Sequence, residues 1–281
     1  MTGLTDSTRA LLDDLGHDEE PVGVFYTDAE PEDGFAPKPG VPFNIDMEAR
    51  NEIDWKGMWG NFSCVIGKLW LARRQKKPAY FEAARYGCPG GSFFLGFHKP
   101  QIHFLDHYIS LGIPDVAEGE RYLPSPAHVR AFFNDIDPLP APARFCVMKP
   151  LSLFTDAETP ELVAFFARGE VLGGLCELAF FATGDTDVVA MPFGAGCSNL
   201  VTWPRRYAAQ GRPRAVIGGM DPSCRKYVKP DELSLTLPLP LYQAMLDARP
   251  ASFLASKTWA GVRTKALRSR KAWGELPEEK A

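Results

Sequence analysis

The chain lacks several features that would have placed it quickly. No apolar run approaches the ~20 residues of a membrane-spanning helix, since the richest stretch, "VLGGLCELAFFATG", is shorter and contains Glu177. Basic excess is missing too: 31 Lys and Arg stand against 35 Asp and Glu, a net charge of -4 that gives no electrostatic footprint for nucleic acid. The opening "MTGLTDSTRALLDDLGHDEE" carries acids where a secretory signal needs a basic region and an apolar run, and its Thr5-Asp6-Ser7 group reads as a helix cap. A cytoplasmic protein without membrane or nucleic-acid partners is expected.

Motif absences narrow the chemistry. Neither GxxxxGK[ST] nor GxGxxG after a strand occurs, which argues against nucleotide cofactors. His103 and His107 lie four apart, as two metal ligands on a helix would, but Phe104, Leu105 and Asp106 between them leave out the glutamate of an HExxH protease. A zinc hydrolase is therefore a weak alternative. There is no CxxC pair, so no zinc ribbon or ferredoxin run.

What is present fits a folded protein: 45% hydrophobic and 23% charged residues suffice to bury a core. A single domain over residues 1–281 is expected, with a core at about 20–250 and a basic helical tail at 251–281. "PVGVFYTD", "FCVMKPLSLF", "ELVAFFA", "DVVAMPFG", "RAVIGG" and "LSLTLP" read as strands. "CVIGKLWLARRQKK", "PQIHFLDHYISLG", "SPAHVRAFFNDI", the Cys176 segment, "CSNLVTWPRRYAA" and "LPLYQAMLDA" read as helices, and proline-rich residues 29 to 60 as a long loop or lid. The fold class is α+β, a mixed sheet with packed helices.

The order of parts recurs. Cys64 in a helical segment precedes Cys88 in a glycine turn by 24 residues, and Cys176 precedes Cys197 in a second glycine turn by 21. The echo is as compatible with two internally duplicated β-α-β halves as with chance recurrence of a common strand-helix-strand order. Duplication would bring the two turns together across a two-fold axis.

Six cysteines without an export signal do not suggest a disulfide framework. "GCPGG" and "GAGCS" place thiols where backbone N–H groups can point at a soft metal or at cluster sulfides. Cys88 and Cys197 are the first candidates, Cys64 the next and Cys176 the fourth, whereas Cys146 reads as core and Cys224 as a loop thiol. Three thiolates leave an open iron suited to Lewis-acid chemistry, and four suit electron transfer or a structural role. Cys88 with Arg85 or His98 nearby, or Cys197 at a helix start, could instead be a nucleophile. The glycine turns could also hold a small anion without any metal.

"SCVIGKLWLARR", "YGCPGGSFFLGF", "VAMPFGAGCSNLV" and "GMDPSCRKYVKPDELSLTLP", in this order, resemble the Domain of Unknown Function 169 family, from about Pro21 to about Leu246. The resemblance implies a prokaryotic cytosolic protein of mixed helix and strand with no settled activity. By their place in these stretches Cys64, Cys88 and Cys197 look like site residues. The expectation is a 4Fe-4S cluster on these three cysteines, serving non-redox lyase, hydrolase or sulfur-transfer chemistry. Its substrate would be a small acidic molecule with Arg73, Arg74, Arg225 or Lys226 as candidate anchors. The basic tail suits a solvated terminal helix or a homodimer contact.

Overall fold

The computed structural model describes residues 2–98 and 102–274. In chain order the elements are α1 (Thr2–Leu15), β1 (Val22–Thr27), α2 (Ile45–Ala49), α3 (Trp55–Asn61), α4 (Val65–Gln75), β2 (Ala79–Phe81), α5 (Pro89–Phe94) and α6 (His103–Ile109). There follow β3 (Gly112–Ile113), β4 (Ala117–Glu118), α7 (Pro126–Asp135), β5 (Phe145–Pro150), β6 (Leu162–Arg168), α8 (Gly169–Thr183) and β7 (Val189–Ala190). The chain closes with a π-helix (Ser198–Thr202), α9 (Trp203–Ala209), β8 (Ala215–Gly218), α10 (Pro222–Arg225), β9 (Glu232–Pro238), α11 (Leu239–Ala248) and α12 (Lys257–Ala272). No described helix is long and apolar enough to cross a membrane.

Seven strands form one mixed sheet in the order β2-β5-β1-β6-β9-β8-β7, antiparallel except where β7 runs parallel to β8. The period of two along a strand divides its side chains between two cores. Along β6, Val163, Phe165 and Ala167 join α1, α8 and α11 on one face, while Leu162, Ala164 and Phe166 join α4, α5, α7 and the π-helix on the other. Each large side chain so buried contributes about 1.5–3 kcal/mol by leaving water. Helix limits follow local chemistry. Ser125 caps α7 with Pro126 in its first turn, and α8 stops at Gly184, whose φ of +66° suits glycine.

The sheet is symmetric in register. Val22 pairs with Pro150 as Leu162 pairs with Pro238, and Ala79, Tyr80 and Phe81 pair with Met148, Val147 and Cys146 as Val216, Ile217 and Gly218 pair with Thr236, Leu235 and Ser234. Of the central pairs, Gly23–Val163 maps onto itself and Val22–Ala164 and Val24–Leu162 map onto each other when the halves exchange. The pairing is thus unchanged when β1 is swapped for β6, β5 for β9 and β2 for β8, as a local two-fold axis through Gly23–Val163 requires.

This corrects the correspondence suggested by the sequence. β8, not β7, is the counterpart of β2, because β7 lies outside the exchanged strands. The counterpart of α4 is the π-helix with α9, because these share its face of the sheet while α8 packs on the other. Residues 29 to 60 also contain two short helices, α2 and α3, with Tyr86 hydroxyl donating to Val41 O at 2.8 Å to hold the segment down. The tail helix begins at Lys257 and is tied to α1 by Trp259 Nε1 donating to Asp14 O. Residues 275–281 of the expected tail, and Pro100 and Gln101 of the helix expected around His103, lie outside the described residues.

Candidate functional site

Three of the predicted cysteines stand at the starts of helices on the same face. Cys64 immediately precedes α4 and Cys197 the π-helix that runs into α9. Cys88 is the cap of α5, with Pro89 in the first turn, and its Sγ accepts from the Gly91 N–H at 3.1 Å. The glycines around Cys88 are needed for different reasons. Gly87 has a φ of +84°, and a Cβ on it would sit 2.5 Å from Ser63 O. On Gly91 a Cβ would sit 2.6 Å from Val65 Cγ2 and 3.0 Å from Cys88 Sγ. The strand-like turn is then stitched to the start of α4, since Ser63 N donates to Gly87 O at 2.8 Å.

Cys64, Cys88 and Cys197 line one pocket together with Asp221, Tyr122 and Lys226. Its cavity volume of about 170 Å³ far exceeds the room one water needs. Phe62, Phe94, Leu105, Tyr108 and Phe132 make much of the remaining wall apolar and aromatic, and Glu120 is exposed at its edge. Two polar atoms at this pocket are buried without a hydrogen-bond partner, Tyr122 OH and Asp221 Oδ1. Such orphans in a native fold call for an explanation, an unseen ligand among them.

Electrostatics bears on what the thiols can do. Cys88 keeps some solvent contact through the pocket, yet the protein packed around it, followed by Cys64, pushes its thiol up to about 12. Burial first, then Cys88 and Cys64, holds Cys197 well above its ordinary value, and burial raises Cys64 as well. Each thiolate would be repelled by its neighbours, so these sulfurs lie close enough to influence one another. Without a metal they are neutral thiols, and a bound metal deprotonates such groups on coordination. The cations proposed to activate Cys88 are engaged elsewhere: Arg85 pairs with Glu82 at 2.6 Å and Glu30, and His98 Nε2 contacts Ala83 O at 2.8 Å. Among the described residues no histidine lines the pocket.

The other expected residues fall away from this site. Cys176 is on α8, partly buried against the opposite core, so the four-cysteine version does not form. Arg73 is held by Glu19 at 2.6 Å and Glu232 at 3.4 Å, with its guanidinium over Phe166. Arg74 lies over Trp70, and Arg225 donates to the carbonyls of Gly219, Lys229, Pro230 and Glu232. Of the four candidate anchors only Lys226 reaches the cysteine pocket. His103 faces Glu48 on the surface, its Nδ1 3.4 Å away.

Asp221, Tyr122 and Cys224 were not singled out from sequence. Asp221 caps α10 with Pro222 in the first turn, the pattern of Cys88 and Pro89, and that repeated cap-proline pair was the readable signal. Cys224 is buried rather than a loop thiol, 3.0 Å from where a Gly196 Cβ would stand. All six cysteines are free. Among the described residues no group of three or more His, Cys, Asp or Glu could hold one metal ion. A polynuclear cluster sets its ligands further apart than a single ion does, so the search for a single-ion site does not bear on one, and the three thiols share the lining of one cavity.

A family model described as DUF169, uncharacterised ArCR, matches residues 10–248. No curated protein and no solved structure matches the chain. With most of its length matched, the chain belongs to the Domain of Unknown Function 169 family.

Proposed function

We propose that Cys64, Cys88 and Cys197 hold an iron–sulfur cluster, of the 4Fe-4S type, whose fourth iron has no cysteine. One observation carries this reading: three thiols from remote segments line a single cavity, two of them immediately ahead of helices and the third capping one. Soft thiolates of this kind select iron–sulfur clusters, zinc or copper(I). The Gly91 N–H already directed at Cys88 Sγ is the sort of donor that tunes a cluster's potential.

An iron lacking a thiolate acts as a Lewis acid on a substrate oxygen or sulfur. We place the protein among enzymes of non-redox lyase, hydrolase or sulfur-transfer type. The aromatic wall and the lone cation Lys226 favour a small molecule with an apolar body and one acidic group. A free-thiol nucleophile has less support, since burial keeps the sulfurs protonated and the expected activators are paired elsewhere.

The test is anaerobic reconstitution with ferrous iron and sulfide. The wild-type protein should become brown with broad absorbance in the visible blue, and Cys88→Ser and Cys197→Ser should lose it. A colourless wild-type protein under these conditions contradicts the proposal.

A further inference from the structure

Exchange of the two halves of the sheet carries more than strands. Cys64 and Cys197 are equivalent, each immediately ahead of the helix that leads into β2 or β8. The residue that follows those strands and caps the next short helix is Cys88 in one half and Asp221 in the other. Each is followed by proline, and each side chain accepts from the backbone N–H three residues on: Gly91 for Cys88, at 3.1 Å, and Cys224 for Asp221, also at 3.1 Å. In each half the capping residue lies beside the cysteine that precedes the longer helix. Gly87 and Ser63 are hydrogen-bonded beside Cys88 and Cys64, and a Cβ on Gly196, beside Cys197, would stand 3.1 Å from Asp221 Oδ1.

We infer that Asp221 is the fourth protein ligand of the cluster site, the oxygen counterpart of Cys88. This rests on the cluster reading and deepens it. Asp221 is 2% exposed, and its two oxygens are used differently. Oδ2 takes the local bonds, from Ser223 Oγ at 2.6 Å and Cys224 N at 3.1 Å, while Oδ1 is buried with no partner in good hydrogen-bond geometry and only the Gly196 backbone N–H acting on the carboxylate from its side. A capping role needs only Oδ2, so the cap leaves Oδ1 available to a ligand of the pocket that Asp221 helps to line.

A carboxylate is a harder donor than a thiolate and holds sulfide-bound iron less firmly. Asp221 would thus hold the fourth iron by a donor weak enough for a substrate oxygen or sulfur to replace, which is the Lewis-acid chemistry a bound cluster would supply here. Three cysteines and an exchangeable aspartate reconcile a closed resting site with Lewis-acid chemistry.

The experiment is Mössbauer spectroscopy of the full chain reconstituted anaerobically with iron-57 and sulfide. In the wild-type protein one iron in four should differ from the rest. Asp221→Cys should make that iron like the other three, and Asp221→Asn, which keeps the shape and the capping ability, should shift that iron alone. If both variants hold a cluster with the wild-type spectrum, Asp221 is only a cap and the inference is wrong, while the cluster survives. Should the wild-type protein take up no cluster, both readings fall together. Asn and Asp cap helices about equally well, so a folding defect in Asp221→Cys leaves the asparagine variant to decide.

Discussion

Ser63 donates its backbone N–H to the carbonyl of Gly87 at 2.8 Å, and this one bond sets Cys64 beside Cys88 although 24 residues separate the two thiols. The contact depends on glycine. A Cβ at 87 would meet Ser63 O at 2.5 Å, on a backbone whose φ is +84°. Gly87→Ala should cost about 1–3 kcal/mol through backbone strain and reduce cluster uptake. Chemical denaturation with and without iron and sulfide checks both effects.

Arg73 and Lys226 should separate structural from ligand-binding cations. Arg73 has a side chain only 8% exposed and neutralises Glu232, which is 4% exposed. Arg73→Ala removes the buried cation shared by Glu19 and Glu232 while Lys229 still holds Glu232 at 2.6 Å, and should lose about 1–3 kcal/mol of stability, read from a denaturant titration. Lys226 is exposed, so Lys226→Ala should change stability by less than about 0.5 kcal/mol. The same substitution should weaken binding of small carboxylates to the reconstituted protein, measured by calorimetry.

The metal-free protein should weaken in alkali. Burial holds Cys88 at about 12 against an ordinary value of 9.0, so between those pH values the unfolded chain releases a proton that the folded chain keeps. Fewer protons bound in the unfolded state means that unfolding becomes easier as pH rises. Cys197 and Cys64 shift in the same direction and add to the loss. Denaturation midpoints should fall above about pH 9. Cys88→Ser should fall less steeply, and an unchanged slope in that variant would show that the thiol is not held neutral.

Alkylation kinetics should rank the sulfurs by place in the fold. Cys176 lies against the far core, half-buried, and its reaction with iodoacetamide should be unaffected by reconstitution. Cys64 and Cys88, half-buried at the pocket, should be protected once iron and sulfide are added. Mass spectrometry of the alkylated peptides distinguishes the two groups.

Much of this architecture was legible in the sequence because it rests on local pattern. Apolar runs bounded by turns marked the strands, and Ser125-Pro126 marked the start of α7. Cys88 and Cys197 do share a pocket, but the route to that expectation was wrong: it took their turns as equivalent halves of a duplication, whereas the strand pairings make Cys64 the counterpart of Cys197. Cys176 was misplaced because helical periodicity does not say which face of a sheet a helix covers, and α8 covers the one away from the pocket. Arg73 looked like an anion anchor until its partners were seen. Glu232, which neutralises it, lies far along the chain. Asp221 was missed because the cap-proline pair it shares with Cys88, though readable in sequence, carries weight only once the strand pairings place the two residues at equivalent positions.

The most direct measurement is iron and acid-labile sulfide per chain after anaerobic reconstitution, compared across single serine variants of Cys64, Cys88, Cys176 and Cys197. The account predicts about four of each in the wild-type and Cys176→Ser proteins, with a severe loss in the other three. Equal contents in all four variants, or a wild-type protein that binds iron without sulfide, would contradict it.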